Sequence, residues 1–136
     1  MSMPLSVMIV EDEWDIARLL SLYLARPGFD TISFTQPLLA LDHFKKYSRR
    51  YCLILLDLSM DELSGMELSK EIRKYNSQVK ILLITGYSKG DISHSIDFKK
   101  AKISDVIQKP VNLEKLGPRI LRLRSKSKSV GGNSKI

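Results

Sequence analysis

Hydrophobic and polar positions alternate along this chain in a regular order of predicted strands and helices. Three short apolar runs, over 5–10, 51–56 and 79–84, are typical of strands that are buried on both faces of a parallel sheet. The segment 29–34 alternates apolar and polar residues, as a half-buried edge strand does. A short fifth strand is predicted around Val106. A helical pattern follows each strand, so the sequence predicts five consecutive βα units.

The helices between these strands are predicted from apolar residues at helical spacing. Trp14 opens the apolar face of the first helix, which ends at Arg26-Pro27-Gly28. The segment Ser64-Gly65-Met66-Glu67 has the pattern of a capping box, and Tyr75 is predicted on the buried face of the helix that it opens. A weak helix is predicted near 92–96 and an amphipathic, basic one at the C-terminal end.

Five βα units in about 120 residues are typical of an α/β protein with a doubly wound parallel sheet. We therefore predict a five-stranded parallel sheet flanked by five helices and joined by right-handed crossovers. The order of the strands is left open by the hydrophobic pattern.

Composition changes this interpretation little. The 136 residues are 43% hydrophobic and 27% charged, which is ordinary for a single globular domain. No stretch approaches the roughly 20 apolar residues of a membrane span. Met1-Ser2-Met3-Pro4 leads at once into a strand and Cys52 is the single cysteine, so we expect neither a signal peptide nor an internal disulfide. These features predict a cytoplasmic protein that does not associate with membranes.

The positive charge is concentrated at the C-terminal end. The formal net charge is +7, and residues 117–136 contain six basic residues and no acidic ones. The segment 125–136 is rich in Ser, Lys and Gly, which is typical of a flexible tail or linker. Such a tail could neutralise nucleic-acid phosphates or dock on an acidic partner. No aromatic residue interleaves these charges, so we expect nucleic-acid binding through this domain to be absent.

Complementary chemical groups follow the carboxyl ends of four predicted strands. Glu11 and Asp12 follow the first, Asp57 follows the strand 51–56, Thr85 follows the next, and Lys109 follows the last. Each residue alone is an ordinary turn former, cap or surface charge. Ligands of open parallel sheets bind at the carboxyl ends of the strands, so these groups are expected to meet. Together they predict a metal-assisted phosphoryl site.

The same residues resemble the receiver domain of two-component response regulators, over roughly residues 4–124. The resemblance is carried by four motifs in order, which are Val10-Glu11-Asp12-Glu13, the run from Asp57 to Leu68, Thr85-Gly86 and Lys109-Pro110. It implies a flavodoxin-like (CheY-like) fold with strand order 2-1-3-4-5 and a cis Lys109-Pro110 bond.

The resemblance also implies a role for each residue of the site. Asp57 would be the phosphoacceptor, and Lys109 and Thr85 would contact the phosphoryl oxygens. The backbone amides of Leu58 and Gly86 would bind the phosphoryl group as well. Mg²⁺ would be held by Asp12, Asp57, Glu11 and the backbone carbonyl of Ser59.

A receiver of this kind would accept its phosphoryl group from a histidine kinase or a phosphotransfer protein and change conformation to signal. It would not be a conventional enzyme, since it would catalyse only its own phosphorylation and dephosphorylation. The signal would pass to a downstream protein partner or to an effector domain that is excised here. The family also implies a monomer or a phosphorylation-dependent dimer.

The chain departs from the family pattern at three positions. Val106 stands where an aromatic switch residue is common, Asp61 replaces a proline, and Tyr87 is bulky where a small residue is usual. The first two favour an alternative, a pseudo-receiver that keeps the fold as an interaction module with little phosphorylation. A hydrolase is disfavoured because Ser59 stands where aspartyl phosphatases carry a second acid.

Overall fold

A parallel sheet of five strands forms the centre of the molecule. The computed structural model describes residues 6–133, with side chains described for residues 6–124. The strands are β1 (Ser6–Val10), β2 (Asp30–Phe34), β3 (Leu53–Asp57), β4 (Lys80–Thr85) and β5 (Asp105–Gln108). They pair in the order β2-β1-β3-β4-β5, with every pair parallel. The predicted fold class and the strand order implied by the resemblance are both confirmed.

Six helices connect or follow the strands. They are α1 (Trp14–Ala25), α2 (Pro37–Lys46), α3 (Gly65–Tyr75), α4 (Lys89–Ile92), α5 (Ile96–Lys100) and α6 (Leu113–Asn133). One weak helix was expected between β4 and β5, and two short helices stand there. Ser88 and Ser95 each accept a hydrogen bond from a backbone N–H three residues later. Each serine therefore starts its own helix, which divides the segment in two.

The alternating directions of the strand side chains produce two apolar cores. Met8 and Val10 of β1 face a cluster that includes α2 and α3. Val7 and Ile9 face the opposite cluster, which includes α1 and α6. The central strands are buried on both faces, whereas β2 is only partly buried, as predicted for an edge strand.

Two aromatic residues predicted on buried helix faces are exposed instead. Trp14 is 61% exposed and Tyr75 is 44% exposed. Trp14 is the first residue of α1 and Tyr75 is the last of α3. Because the ends of a helix project beyond the sheet, helical spacing alone overestimates the burial of terminal residues.

Arg73 fastens the end of α3 to the segments that precede β4 and β5. Its guanidinium donates hydrogen bonds to the carbonyls of Ala101, Asn76, Val79 and Lys102, at 2.7, 3.2, 2.6 and 2.8 Å. These contacts hold the chain after α5 in position. Lys102 in that segment has a φ of 50°, and it is the non-glycine residue with positive φ among the residues described.

Replacing Lys102 with glycine is expected to stabilise the protein by about 0.5–1 kcal/mol, because glycine adopts positive φ without the clash of a Cβ. The hydrogen bond from Arg73 to the Lys102 carbonyl is retained. Urea denaturation measures the change. Lys100→Gly is the matched control, because Lys100 lies in α5 and glycine there should destabilise. An equal loss in the free energy of unfolding for both variants would contradict this expectation.

The C-terminal helix extends into the predicted tail. Backbone helix α6 continues to Asn133, while the side chains from residue 125 onward and residues 134–136 lie outside the described residues. Flexibility of the segment 125–136 therefore stays a prediction. Within the described residues, no helix combines the length and apolar character needed to cross a membrane.

Candidate functional site

The groups predicted at four strand ends do meet at one edge of the sheet. Backbone hydrogen bonds hold this edge together. The N–H of Glu11 donates to the carbonyl of Phe34 at 3.0 Å, and the N–H of Lys109 donates to the carbonyl of Thr85 at 2.7 Å. The side chains of this edge are therefore presented by a rigid backbone.

Three carboxylates lie together at the centre of the site. Glu11, Asp12 and Asp57 each place one oxygen within 4.8 Å of the others. Glu11 is 1% exposed and Asp57 is 3% exposed. One oxygen of Glu11, Oε2, accepts the N–H of Glu13 at 3.1 Å, while the buried Oε1 has no hydrogen-bond partner.

Burial is the main reason that the pKa of Glu11 is raised to about 8. The hydrogen bond from the Glu13 amide lowers this pKa, and the charge of Asp57 together with contacts to Asp57 and Asp12 raises it. A buried carboxylate with an unpartnered oxygen is costly unless a proton or a cation is bound. Mg²⁺ prefers oxygen ligands and is often held by one or two carboxylates. The donor set and the unpartnered oxygen therefore fit a divalent cation.

Lys109 reaches into the site from the end of β5. Its Nζ donates to Oδ2 of Asp57 at 3.2 Å, and its side chain is 39% exposed. Partial burial lowers the pKa of Lys109, but the hydrogen bond and the charges of Asp57 and Glu11 raise it by more. The Lys109–Pro110 bond is cis, as expected.

Asp57 receives its second hydrogen bond from a backbone amide. The N–H of Ser59 donates to Oδ1 of Asp57 at 3.1 Å. The N–H of Leu58 donates to the carbonyl of Ile84 at 2.8 Å, and its binding to a phosphoryl group stays a prediction. For the contacts of the site, only the carbonyl of Ser59 was predicted to take part. Sequence reasoning missed its amide because backbone direction within a loop leaves no pattern in side chains.

Thr85 is 1% exposed at the end of β4, and its Oγ1 accepts the N–H of Tyr87 at 3.1 Å. Tyr87 itself is 59% exposed. A Cβ built on Gly86, between them, would have no atom within 4 Å. The loop after β4 therefore has open space on the side of Gly86.

The predicted switch position Val106 is buried among the residues of the α2–α3 core. Its carbonyl accepts a hydrogen bond from Arg119 of α6 at 2.9 Å. The same guanidinium donates to Asp105 at 2.8 Å, and despite partial burial this ion pair lowers the pKa of Asp105. Sequence reasoning missed the Arg119–Asp105 pair. Asp61, the other departure from the family pattern, is exposed and is not one of the three clustered acids.

A largely apolar cavity of ≈ 480 Å³ adjoins the acidic site. Glu11 and Lys109 line one side of it, and side chains of α1 and of the β5–α6 connection line the rest, including Leu19 and Val111. The site therefore opens beside a surface that could receive apolar groups of another molecule.

In the presence of EDTA, the free energy of unfolding is expected to fall as the pH rises from about 4.5 to about 8. Glu11 ionises near 4.5 in the unfolded chain, but its pKa is about 8 in the folded protein. The folded state therefore binds more protons in this interval, so rising pH favours unfolding. Urea denaturation across the interval measures this slope, and Glu11→Gln should flatten it.

The control for that experiment is Glu13→Gln, which removes an exposed acid two residues away. It should keep the wild-type slope. If Glu11→Gln and the wild type lose stability in parallel as the pH rises, the raised pKa of Glu11 would be wrong. Saturating Mg²⁺ should reduce the wild-type slope, because a bound cation favours the ionised carboxylate.

Comparison with known proteins agrees with this geometry. Residues 7–121 match the family model described as the response regulator receiver domain. The CpxR homologue of Haemophilus influenzae, a transcriptional regulatory protein, is 33% identical over 127 residues, covering 93% of this chain and 53% of that protein. Regulatory protein AtoC of Escherichia coli is 28% identical, covering 91% of this chain and 27% of that protein. This chain thus spans about a quarter to about a half of these two relatives.

Solved structures show the same fold. A CheY-like response regulator receiver domain protein from Methanospirillum hungatei superposes with a TM-score of 0.82 at 21% identity, covering 93% of this chain and 98% of that one. A response regulator receiver protein from Pseudomonas putida superposes with a TM-score of 0.74 at 26% identity, covering 93% and 99%.

Proposed function

The chain belongs to the response regulator receiver domain family, and from that premise we propose that Asp57 accepts a phosphoryl group from a phosphohistidine. The donor is a histidine kinase or a phosphotransfer protein. The observation that carries this proposal is the placement of Asp57. Its buried carboxylate is hydrogen-bonded to Lys109 at 3.2 Å and to the Ser59 amide at 3.1 Å, beside two further acids.

The proposed reaction is an in-line transfer. A carboxylate oxygen of Asp57 attacks the phosphorus as the phosphorus–nitrogen bond of the donor breaks, and the departing imidazole retains the electron pair and takes up a proton. The product is an aspartyl phosphate. Such transfers depend mainly on positioning and on neutralising the phosphoryl oxygens. Lys109 supplies a positive charge at the attacking carboxylate.

We propose that Mg²⁺ is the cofactor, held by Glu11, Asp12, Asp57 and the carbonyl of Ser59. When bound, it would neutralise the acids and the charge on the transferring group. The unpartnered oxygen of Glu11 supports this assignment. Lys109 contributes independently, since its ammonium already pairs with Asp57.

The signal is proposed to start at Thr85. Its hydroxyl would donate a hydrogen bond to a phosphoryl oxygen, and the amides of Gly86 and Leu58 would bind the same group. To bind there, the Leu58 N–H would have to leave the Ile84 carbonyl. Movement of the loop after β4 would reach the buried Val106 and, through its carbonyl, Arg119 of α6.

Partners follow from the surfaces beside the site. We propose that the kinase or phosphotransfer protein docks over the cavity beside Lys109, where the exposed Leu19 and the half-buried Val111 offer apolar contacts. The output would go to a downstream protein or an effector domain, from a monomer or a phosphorylation-dependent dimer. Residues 4–124 would form the receiver unit. We propose a cytoplasmic location, because a histidine kinase takes its phosphoryl group from ATP, which the cytoplasm supplies.

The alternative is a pseudo-receiver that binds partners with little phosphorylation. Val106 supports it, because a small aliphatic residue stands at the position of the expected aromatic switch. The complete set of acids with Lys109 supports phosphorylation instead.

Incubation with Mg²⁺ and acetyl phosphate, followed by intact-mass measurement, tests the proposed function. A receiver should gain one phosphoryl group with Mg²⁺ and none when EDTA is present during the incubation. Treatment with hydroxylamine, which cleaves acyl phosphates, should then release the group. No mass gain at saturating Mg²⁺ would favour the pseudo-receiver.

A further inference from the structure

A second charged surface lies at the opposite end of the sheet from Asp57. Lys80 begins β4 and Thr85 ends it, so about 16 Å of strand separates the two ends at roughly 3.3 Å per residue. At the amino end, the α3–β4 connection contributes Asn76 and Gln78, and the α2–β3 connection contributes Arg49. None of these residues takes part in the phosphoryl site.

Two adjoining cavities form a groove across this end, which we call the basal groove. One cavity of ≈ 430 Å³ is lined by Arg49, Tyr75, Asn76, Ser77 and Gln78. The other, of ≈ 320 Å³, shares Asn76 and Gln78 and adds further residues, among them Lys80 and Arg124. The two shared residues show that the cavities are direct neighbours.

The charge of the basal groove is one-sided. Arg49, Lys80 and Arg124 line it, and no carboxylate does. Within the part of the chain whose side chains are described, none of these three cations has a carboxylate partner within salt-bridge distance. Glu71, on the neighbouring surface of α3, is already paired with Lys74 at 2.8 Å. The lining of the groove therefore carries three cations and no anion.

Aromatic and amide groups accompany this charge. Tyr75 is 44% exposed and lines the first cavity, with the ammonium of Lys45 5.9 Å from its ring centroid. Asn76 is held in place, because its side-chain oxygen accepts the N–H groups of Gln78 and Val79 at 2.8 and 3.0 Å. Its amide nitrogen donates to the Ser48 carbonyl at 2.6 Å. The floor of the groove is thus ordered.

We propose that the basal groove binds the sugar–phosphate backbone of a single-stranded nucleic acid. The cations would contact successive phosphates, and Tyr75 would stack on one base. The aromatic ring favours a nucleic acid over an acidic protein or an anionic lipid surface, neither of which offers a flat base. This surface was missed in the sequence because its cations come from three distant segments. The proposal differs in this from the expectation that this domain does not bind nucleic acid.

Fluorescence anisotropy with a labelled oligo(U) or oligo(dT) tests the proposal over a range of salt concentrations. The triple variant Arg49→Gln, Lys80→Gln, Arg124→Gln should lower the magnitude of the slope of log affinity against log salt by about 2, at about 0.7 per lost phosphate contact on a single strand. The matched control, Arg18→Gln, Lys99→Gln, Lys115→Gln, removes the same net charge outside the groove. It should keep the wild-type slope.

Stacking is tested separately. Tyr75→Leu should weaken binding about fivefold or more, whereas Tyr75→Phe should not. Three results would each overturn the proposal. The two triple variants could lose the salt slope equally, or the wild type could show no binding at low salt. The third is preferential binding of inorganic polyphosphate or phosphatidylserine vesicles. Because the basal groove is remote from Asp57, labelling by acetyl phosphate should continue with the oligonucleotide bound, so failure here leaves the proposed receiver function untouched.

Discussion

Asp57→Asn is expected to abolish phosphorylation by acetyl phosphate or a phosphohistidine donor. The amide has no negative oxygen to attack phosphorus, and the neighbouring Asp12 and Glu11 lack the combined contacts to Lys109 and the Ser59 amide. Intact mass after incubation with Mg²⁺ should show no added phosphoryl group, while the wild type gains one.

The fold should survive this substitution. The change relieves the repulsion between Asp57 and Glu11, and Lys109, which loses its partner, is already 39% exposed. The free energy of unfolding is therefore expected to change by no more than about 1 kcal/mol in EDTA. Asp61→Asn is the matched control, because it removes an exposed acid from the same loop. Labelling of Asp57→Asn at the wild-type level would show that another residue is the acceptor.

The sequence predicted the position of the site because parallel strands place their carboxyl ends at one edge. Asp57 and Lys109 are 52 residues apart along the chain and 3.2 Å apart in the structure. The strand pattern and the chemistry of the strand ends are independent constraints, and together they were sufficient to predict that these two residues lie close in space.

The features that the sequence analysis missed have a common physical origin in tertiary geometry. Whether the Leu58 or the Ser59 amide faces Asp57 depends on backbone torsions within the loop, which one sequence does not specify. The four carbonyls bound by Arg73 belong to two segments, the connections before β4 and β5, and leave no periodic pattern. The burial of Trp14 was overestimated because helical spacing ignores where the sheet ends.

Gly65→Ala is expected to have the largest effect on stability. Gly65 is the first residue of α3, and its N–H donates to the Leu58 carbonyl at 2.8 Å. A Cβ there would overlap the carbonyl oxygen of Asp57 and lie 2.7 Å from Leu56 Cδ1 and 2.8 Å from Leu58 Cα. Two of these three neighbours are backbone atoms, which cannot turn away as a side chain can. The helix or the loop must shift, at a cost of about 1–3 kcal/mol.

The same shift should slow phosphorylation, which separates Gly65 from an ordinary packing residue. The atoms that must move belong to Asp57 and Leu58, and they lead directly to the Ser59 amide that orients the carboxylate.

Gly90→Ala is the matched control. It lies in the short helix α4, and its added Cβ would meet only Ser88 Oγ, at 3.8 Å. The free energy of unfolding, measured by urea denaturation, and the initial rate of labelling by acetyl phosphate should both fall for Gly65→Ala. Neither should fall for Gly90→Ala. Wild-type stability of Gly65→Ala would mean that α3 does not approach β3 this closely, and lost stability with an unchanged rate would mean that the contact holds the helix without orienting Asp57.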